Sequence, residues 1–335
     1  MTTLLTKRIN FMKPKKAFYV RMSARRYCLL MTWTFVFWFP ACLTLAQDPV
    51  LPSTNLGLTN IMDGYVPGPG LYFMNYTQVY ESRRLKDGFG EKISTDLEVG
   101  SLLNLTQLVY LTKVKVAGGN LGFTTLVPIV KISATSSSDV PNVNPGVFGD
   151  IVFATAIQWL EKKFLNKTLS HRAEVGVAFP TGSFDSDYAI NASANLYTIS
   201  AYHSFSYFLS KNWSTSMRNT FNYNTKIRNT EIRPGSFYTC NYSIGRTLIK
   251  DLRLELVGYF LLQLEEDSYA NDHHFFKDTY GIQNTKERVL GIGPGIAYVT
   301  PTRFFLEAKV FFETNAENRF EGYRPTLRVI YKLDK

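Results

Sequence analysis

Long stretches of this sequence alternate, residue by residue, between an apolar and a more polar set of side chains. Successive side chains of a β-strand point to opposite faces, so the alternation indicates strands whose two faces meet different surroundings. In residues 252–265, one face carries Leu252, Leu254, Leu256, Gly258, Phe260, Leu262 and Leu264, and the other carries Arg253, Glu255, Val257, Tyr259, Leu261, Gln263 and Glu265. A chain made mainly of such segments is expected to be all-β.

About twelve segments of this kind follow one another along the chain. They lie near residues 71–84, 96–112, 119–132, 149–160, 170–180, 192–210, 212–227, 235–249, 251–265, 287–300, 302–314 and 321–333. They match or exceed the ~9–11 residues that a tilted strand needs to cross a bilayer, whereas strands of soluble proteins average ~5–6 residues. The length predicts a transmembrane antiparallel up-and-down β-barrel of about twelve strands over residues 71–335.

The connections between the later segments alternate between short and long. The short ones are Lys211, Lys250 and Pro301, each standing alone between two predicted strands. Outer-membrane barrels have tight turns on the periplasmic side and longer loops outside, and an even strand number puts both chain ends on the tight-turn side. The predicted exterior loops are 85–95, 133–148, 181–191, 228–234, 266–286 and 315–320, and residues 161–169 are predicted as a long periplasmic turn.

A soluble β-sandwich or a lipocalin-like barrel would show the same alternation with its apolar face inside. Three features favour the membrane barrel: the strand length, an N-terminal export signal, and aromatic residues near strand ends, as in interfacial girdles. The aromatic residues assigned to these girdles are Tyr72, Tyr76, Trp159, Phe179, Trp213, Phe304, Tyr323 and Tyr331.

Residues 1–46 have the order of a secretory signal peptide: basic residues, an apolar run, and small residues ending at Ala46. We expect cleavage after Ala46, with Met1 or Met22 as the start, and export to the outer membrane of a Gram-negative bacterium. The alternative is an uncleaved anchor, because residues 27–46 are almost long enough to span a bilayer. The segment holds eight of the 37 Lys and Arg residues and no acid, which leaves 29 basic against 27 acidic residues. This nearly neutral remainder argues against nucleic-acid binding.

Residues 47–70 form a lead rich in proline and glycine, which predicts irregular backbone. The lead is either a loop that leaves the lumen open or a plug in which residues 47–69 fold into the lumen. The sequence leaves both arrangements open.

Charged side chains fall on the strand faces opposite the apolar ones and are therefore expected to line the lumen. The predicted lumen residues are Arg172, Glu174, Arg218, Arg253, Glu255, Arg303, Glu307, Lys309, Arg324 and Arg328, together with Lys226 and Glu313. Unpaired charges in so narrow a space would cost several kcal/mol, so most are expected to pair and to hold the barrel together. The pairs nearest the mouths are expected to select solutes by charge and size.

The histidines give no sign of catalysis or metal binding. A hydrolase would need a nucleophile on the same strand face as His203, but Ser204 points to the opposite face and the same-face neighbours are Ala201 and Phe205. Adjacent His273 and His274 lie in the longest predicted exterior loop, where such residues are more often solvated than bound to metal. No glycine-rich phosphate loop or CxxC motif occurs. We therefore expect no enzyme activity and no cofactor.

Several short motifs occur in a characteristic order. They are Gly149-Asp150-Ile151, Gln158-Trp159, Phe179-Pro180-Thr181-Gly182-Ser183-Phe184-Asp185, Gly291-Ile292-Gly293-Pro294 and Asn318-Arg319-Phe320-Glu321-Gly322-Tyr323. Together they resemble the outer-membrane family labelled "putative MetA-pathway of phenol degradation", from roughly Pro67 to Leu333.

The resemblance implies a single β-barrel that lets small, hydrophobic or aromatic, solutes pass through a narrow charged lumen. The alternative function is that of a structural or adhesive barrel with an occluded interior, acting through its exterior loops. The expected partners are outer-membrane lipid, a small solute of unknown identity, and the barrel-assembly machinery.

Overall fold

The computed structural model describes residues 51–52, 54–137 and 140–334. The predicted signal peptide, residues 1–46, lies outside these described residues, as do residues 47–50. Within the described part of the chain, no helix has the length and apolar character needed to cross a membrane.

Twelve strands form one closed antiparallel barrel. They are β1 (Gly70–Leu85), β2 (Glu98–Val116), β3 (Gly119–Thr135), β4 (Ile151–Phe164), β5 (Lys167–Phe179), β6 (Thr198–Phe208), β7 (Trp213–Asn224), β9 (Phe237–Ile249), β10 (Leu252–Gln263), β12 (Arg288–Val299), β13 (Phe305–Glu317) and β14 (Phe320–Lys332). A separate ribbon pairs β8 (Ile232–Arg233) with β11 (Ser268–Tyr269), and the short helix α1 (Phe275–Tyr280) follows β11. The sequence prediction of an all-β barrel with about twelve strands is confirmed.

Each barrel strand pairs with the next one along the chain, and the last strand returns to the first. β1 and β14 are antiparallel, with Tyr72 opposite Lys332 and Gln78 opposite Thr326. This pairing leaves no free sheet edge, which is what a sheet in hydrocarbon requires. It also places the start of β1 and the end of β14 at the same end of the barrel.

The barrel end that carries these strand termini has short turns. Two of them are two-residue hairpins, Ala117-Gly118 and Leu165-Asn166, whose φ angles lie between 47° and 75°. Such angles define the tight turns that match the twist of paired strands. The predicted long turn over 161–169 is therefore wrong: β4 and β5 continue as a paired ladder through charged residues that the sequence reading had assigned to a loop.

Other connections also differ in length from the prediction. The three turns that were predicted to be one residue long span residues 209–212, 250–251 and 300–304. On the opposite end, the predicted loop over 315–320 contracts to Asn318-Arg319, because β13 and β14 extend to meet there. The remaining connections on that end are long, as the prediction of a tight-turn end and a loop end requires.

The two faces of the strands have opposite surroundings. On β10, the Leu256 side chain is 49% exposed on the outside, whereas the adjacent Val257 is fully buried on the inside. Phe304 and Tyr331 stack with ring centroids 4.5 Å apart near the short-turn end, as expected of an interfacial girdle. Tyr72 and Tyr76, however, are buried inside the barrel because they lie on the inner face of β1, so their assignment to a girdle is wrong.

Replacing Leu256 by Arg should destabilise the barrel in phospholipid vesicles by about 2–4 kcal/mol, because the charge would face the middle of the hydrocarbon layer. The matched change Leu264→Arg, on the same outer face but beyond the exterior end of β10, should cost at most about 1 kcal/mol. Reversible urea unfolding in vesicles measures both values. Equal costs at the two positions would show that this face does not meet lipid.

Candidate functional site in the barrel lumen

Residues 54–66, which precede β1, lie inside the barrel; we call them the lumen segment. Asn60 Nδ2 donates hydrogen bonds to the backbone oxygens of Gly258, at 2.7 Å, and Tyr242, at 3.2 Å. The side chain of Ile61 is fully buried. Because Gly258 and Tyr242 belong to the neighbouring strands β10 and β9, the segment is attached directly to the inner wall.

Gly64 brings the lumen segment into contact with the backbone of β6. Its N–H donates to Ser206 Oγ at 3.0 Å, and its carbonyl accepts from Gln158 Nε2 at 2.9 Å. A Cβ at position 64 would overlap the backbone of Phe205. Glycine is therefore required where the segment passes β6.

Asp63 joins the lumen segment to β7 by an ion pair. Arg218 donates from Nε at 2.6 Å and from Nη2 at 2.9 Å to the two carboxylate oxygens, which is the strong bidentate geometry. The guanidinium also lies 3.9 Å from the ring centroid of Tyr202. The sequence prediction included Arg218 but missed Asp63. The signal that could have found it is that Asp63 is the one charge in residues 54–66.

Two predicted lumen pairs form within single strands. Arg172 Nε lies 2.9 Å from Glu174 Oε2, and Arg253 Nε lies 3.0 Å from Glu255 Oε1. Residues two apart on a strand share a face, so the spacing itself brings each pair together. The structure buries both glutamates on the inner side of the barrel.

Glu307, Lys309 and Arg328 form a buried group that also contacts the lumen segment. Glu307 pairs with Lys309, and its second oxygen lies 3.3 Å from Arg328 Nε. Lys309 Nζ donates to the carbonyl of Leu58 and to Asn60 Oδ1, each at 3.0 Å. The group as a whole thus links β13 and β14 to the lumen segment.

Glu313 organises a second group closer to the exterior end. It accepts from Arg324 Nε at 2.9 Å, from Tyr259 Oη at 2.7 Å and from Tyr80 Oη at 3.0 Å. The Arg324 guanidinium lies 4.0 Å from the Tyr80 ring centroid. The carboxylate also accepts from the backbone N–H of Gly322 at 2.8 Å. The group therefore ties β1, β10, β13 and β14 together.

Arg303 and Lys226 do not belong to the lumen. Arg303 is exposed in the turn over 300–304, with φ of 67°, because β13 begins only at Phe305. Lys226 lies beyond the end of β7 and pairs with Glu231 in the exterior connection. The predicted lumen positions of both residues are therefore wrong, because neither residue lies within a barrel strand.

Part of the inner wall is apolar, which is unusual for a barrel whose outside already meets lipid. Strands β9, β10, β12 and β13 supply it, and Leu56 and Ile61 of the lumen segment cover it. We call this surface the apolar wall; its members are Phe237, Val257, Tyr259, Leu261, Val289, Ala297 and Phe311. Tyr259 and Phe311 contact each other with centroids 4.9 Å apart. The alternation over residues 252–265 had put Tyr259 on the same face as Arg253 and Glu255, but it had not indicated the wall as a whole.

The neighbouring part of the inner wall carries hydroxyl groups. We call it the hydroxyl wall; strands β5, β6, β7 and β9 contribute Ser170, Ser204, Ser206, Ser214, Ser216, Thr239 and Ser243, all buried. Ser206 and Ser216 are hydrogen bonded to each other at 2.8 Å. Small side chains leave room on this side for the backbone of the lumen segment at Gly64.

Glu287 lies outside the strands, at the exterior mouth, with Arg319 Nη1 3.0 Å from its carboxylate. Burial raises the pKa of Glu287 to about 7, against the lowering effect of Arg319 and with a further rise from Asp267. The folded state therefore binds more protons than the unfolded state between about pH 4.5 and about pH 7, and stability falls as pH rises through that interval.

Glu287→Gln should remove this pH dependence. Relative to wild type, the variant should gain up to about 3 kcal/mol of unfolding free energy between about pH 5 and about pH 8, at about 1.4 kcal/mol per pKa unit. Urea unfolding in vesicles at the two pH values measures the difference, and the exposed Glu231→Gln serves as the control. Parallel pH profiles for wild type and Glu287→Gln would contradict the assignment.

The histidines and serines that bear on catalysis lie apart. His203 is on the outer face, 3.2 Å from His171 between ring nitrogens, whereas Ser204 is buried inside. His273 Nδ1 lies 3.0 Å from the backbone oxygen of Glu266 in the exterior connection. Across residues 51–52, 54–137 and 140–334, no three His, Cys, Asp or Glu side chains are grouped in a way that could hold a metal ion.

Comparison with known proteins gives a family match and a fold match. The sequence profile of the family described as "Putative MetA-pathway of phenol degradation" matches residues 82–329. A comparison with curated proteins found no match. The crystal structure of an outer membrane channel from Pseudomonas putida F1 superimposes with a TM-score of 0.67 at 14% identity, covering 79% of this chain and 96% of that one.

Two further solved barrels are more distant. The translocator domain of the autotransporter NalP from Neisseria meningitidis has a TM-score of 0.43 at 10% identity, covering 79% of this chain and 89% of that one. A mutant of the monoaromatic hydrocarbon channel TodX has a TM-score of 0.42 at 8% identity, covering 81% and 91%. At these identities the likeness to the Pseudomonas channel establishes the outer-membrane barrel fold.

Proposed function

The chain belongs to the outer-membrane family described as "Putative MetA-pathway of phenol degradation", and on that footing we propose that it passes small apolar or aromatic solutes across the outer membrane. The apolar wall provides the surface along which the solute moves. The lumen segment occupies that surface in the closed state.

The observation that carries this proposal is the apolar wall itself. The lumen of an outer-membrane barrel is ordinarily polar, because water or polar side chains fill it. Here Leu56 and Ile61 lie against Phe237, Val257 and Phe311 inside the barrel. A surface that binds two aliphatic side chains in this way can bind an aromatic ring of similar size once the segment moves aside.

The charged residues have a different role in this proposal. Glu307, Lys309, Asp63 and Arg218 are paired with one another or with the lumen segment. Paired charges hold the wall and the segment in place, and they present little free charge to a passing solute. In this proposal the apolar wall, more than the charged residues, determines which solutes pass.

A second candidate, the occluded barrel that acts through its exterior loops, is favoured by the order of those loops. Asp150 Oδ1 accepts from the Gly182 N–H at 3.0 Å and from Ser193 Oγ at 2.6 Å, which joins two exterior connections. The β8–β11 ribbon joins two more. A rigid exterior surface of this kind suits adhesion.

Solute uptake separates the two functions. The initial uptake rate of a labelled aromatic hydrocarbon is compared between a strain lacking the gene and the same strain complemented with the full chain, with a sugar of similar size as the matched hydrophilic solute. We expect complementation to raise hydrocarbon uptake and to leave sugar uptake unchanged. Equal hydrocarbon uptake in both strains, together with no conductance of the purified protein in planar bilayers, would favour the adhesive barrel.

A further inference from the structure

The outer, lipid-facing side of β1 and β2 carries a polar cluster halfway along the strands. It consists of Asn75 and Thr77 on β1 and Asn104 and Thr106 on β2, which we call the amide–hydroxyl cluster. Apolar residues surround it on both neighbouring strands: Leu327 and Val329 on β14, and Val127 and Ile129 on β3. The cluster therefore lies inside the apolar band, away from the interfaces.

The cluster satisfies only part of its hydrogen-bonding capacity. Asn75 Nδ2 donates to Asn104 Oδ1 at 3.1 Å and to Thr106 Oγ1 at 3.3 Å. Asn104 Nδ2 donates to Asn75 Oδ1 and to Thr77 Oγ1, each at 3.2 Å. The two threonine hydroxyl hydrogens have no acceptor among the residues that the structure describes, and each amide oxygen keeps one free lone pair.

Hydrocarbon offers no partner for these groups. A polar group that faces acyl chains without a hydrogen bond is costly, and in membranes Asn and Thr side chains commonly bond across to another protein element. The groups left over are two hydroxyl donors and four acceptor lone pairs, one on each amide oxygen and one on each threonine oxygen, so the donors of one copy can bond to the acceptors of another. A surface with that property fits a second copy of the same surface.

The outer rim above the cluster is self-complementary in charge as well. Glu81 and Arg83 on β1, Glu98 on β2 and Lys131 on β3 line a surface depression of about 400 Å³. Arg83 pairs with Glu98 at 3.1 Å and remains largely exposed. Two acids and two bases on this face can exchange partners with the same four residues of another barrel.

We propose that this face of β1–β3 packs against the same face of a second copy, about a two-fold axis parallel to the membrane normal. Two barrels in one membrane share the same up-and-down orientation, so such an axis sets residues of equal height against each other. The amide–hydroxyl clusters then meet in the middle of the membrane, and the mixed charges meet at the exterior rim. The lumens are not involved, so the pairing is independent of what the barrel transports.

Cysteine cross-linking in intact outer membranes tests the contact. In a chain whose three cysteines are replaced, Thr77→Cys should form a disulfide-linked dimer when an oxidant is added. Ile244→Cys, exposed on the outer face of β9 on the opposite side of the barrel, is the matched control and should remain monomeric. No dimer at position 77, or equal dimer at both positions, would overturn the proposal.

A second variant keeps the test decisive if the cysteine chain assembles poorly. Asn75→Leu/Asn104→Leu should remain a folded, heat-modifiable barrel and should halve the protein mass measured by native mass spectrometry in mild detergent. A wild-type protein that is already monomeric in that measurement would overturn the proposal. The proposal would also be overturned if the protein were monomeric and carried a bound phosphoglycolipid that the change Lys131→Gln removes. That result would show that the face binds lipid.

Discussion

Removal of residues 54–66 should convert the barrel into an open pore that conducts ions in planar bilayers, whereas the full chain should conduct little. The lumen segment fills the space between the apolar and hydroxyl walls, and its loss leaves that space to water. The deletion also removes Asp63, so Arg218 loses its carboxylate and Lys309 loses two acceptors. The open pore should therefore prefer anions.

The measurement is single-channel current and reversal potential under a salt gradient. Deletion of residues 275–280, the helix α1 in an exterior connection, is the matched control, because it shortens the chain without reaching the lumen. Both variants must show heat-modifiable gel migration, which reports a folded barrel. Equal currents from the full chain and the chain without residues 54–66 would mean that the segment does not close the lumen.

Asp63→Asn should release the lumen segment without shortening the chain. The amide leaves the buried guanidinium of Arg218 without a counter-charge, which typically costs about 3–5 kcal/mol. An open state in which water reaches Arg218 avoids that cost, so the ratio of open to closed barrels should rise roughly a hundredfold or more. Single-channel records should show frequent openings where wild type shows few.

The double variant Asp63→Asn/Arg218→Gln is the control for this effect. It removes both charges, so no unpaired ion remains and the closed state should largely return. If Asp63→Asn opens no more often than wild type, or if the double variant opens as often as the single one, the Asp63–Arg218 pair does not hold the segment.

The strands were predictable from the sequence because each one meets two different environments. On β10 the alternation of Leu254 and Leu256 with Arg253 and Glu255 specifies the strand and divides its side chains between two faces, and the same-strand ion pair follows from the spacing of two. Strand ends were less predictable. Arg303 continues the alternation of charged and apolar residues but lies in a turn, because the alternation does not show where strand pairing begins or ends.

The path of the lumen segment could not be predicted, because its contacts are distant in sequence and follow no periodicity. Gly64 fits only because Ser206 and the backbone of Phe205 lie opposite, and Asn60 binds carbonyl groups nearly two hundred residues away. The apolar wall was missed for a related reason. Val257 and Leu261 interrupt the polar face of β10. Apolar residues on an inner face cannot be recognised as a continuous surface until the segment that covers them is known.

The central claim is that the apolar wall carries the solute, and hydrocarbon uptake by wall variants tests it most directly. Val257→Thr/Leu261→Asn makes the wall polar with little change in volume, and Thr239→Val makes the opposite change on the hydroxyl wall. In cells with equal amounts of folded protein, the wall variant should lose most of the aromatic hydrocarbon uptake, and Thr239→Val should retain it. Full uptake by Val257→Thr/Leu261→Asn, or an equal loss in both variants, would contradict this account of the barrel.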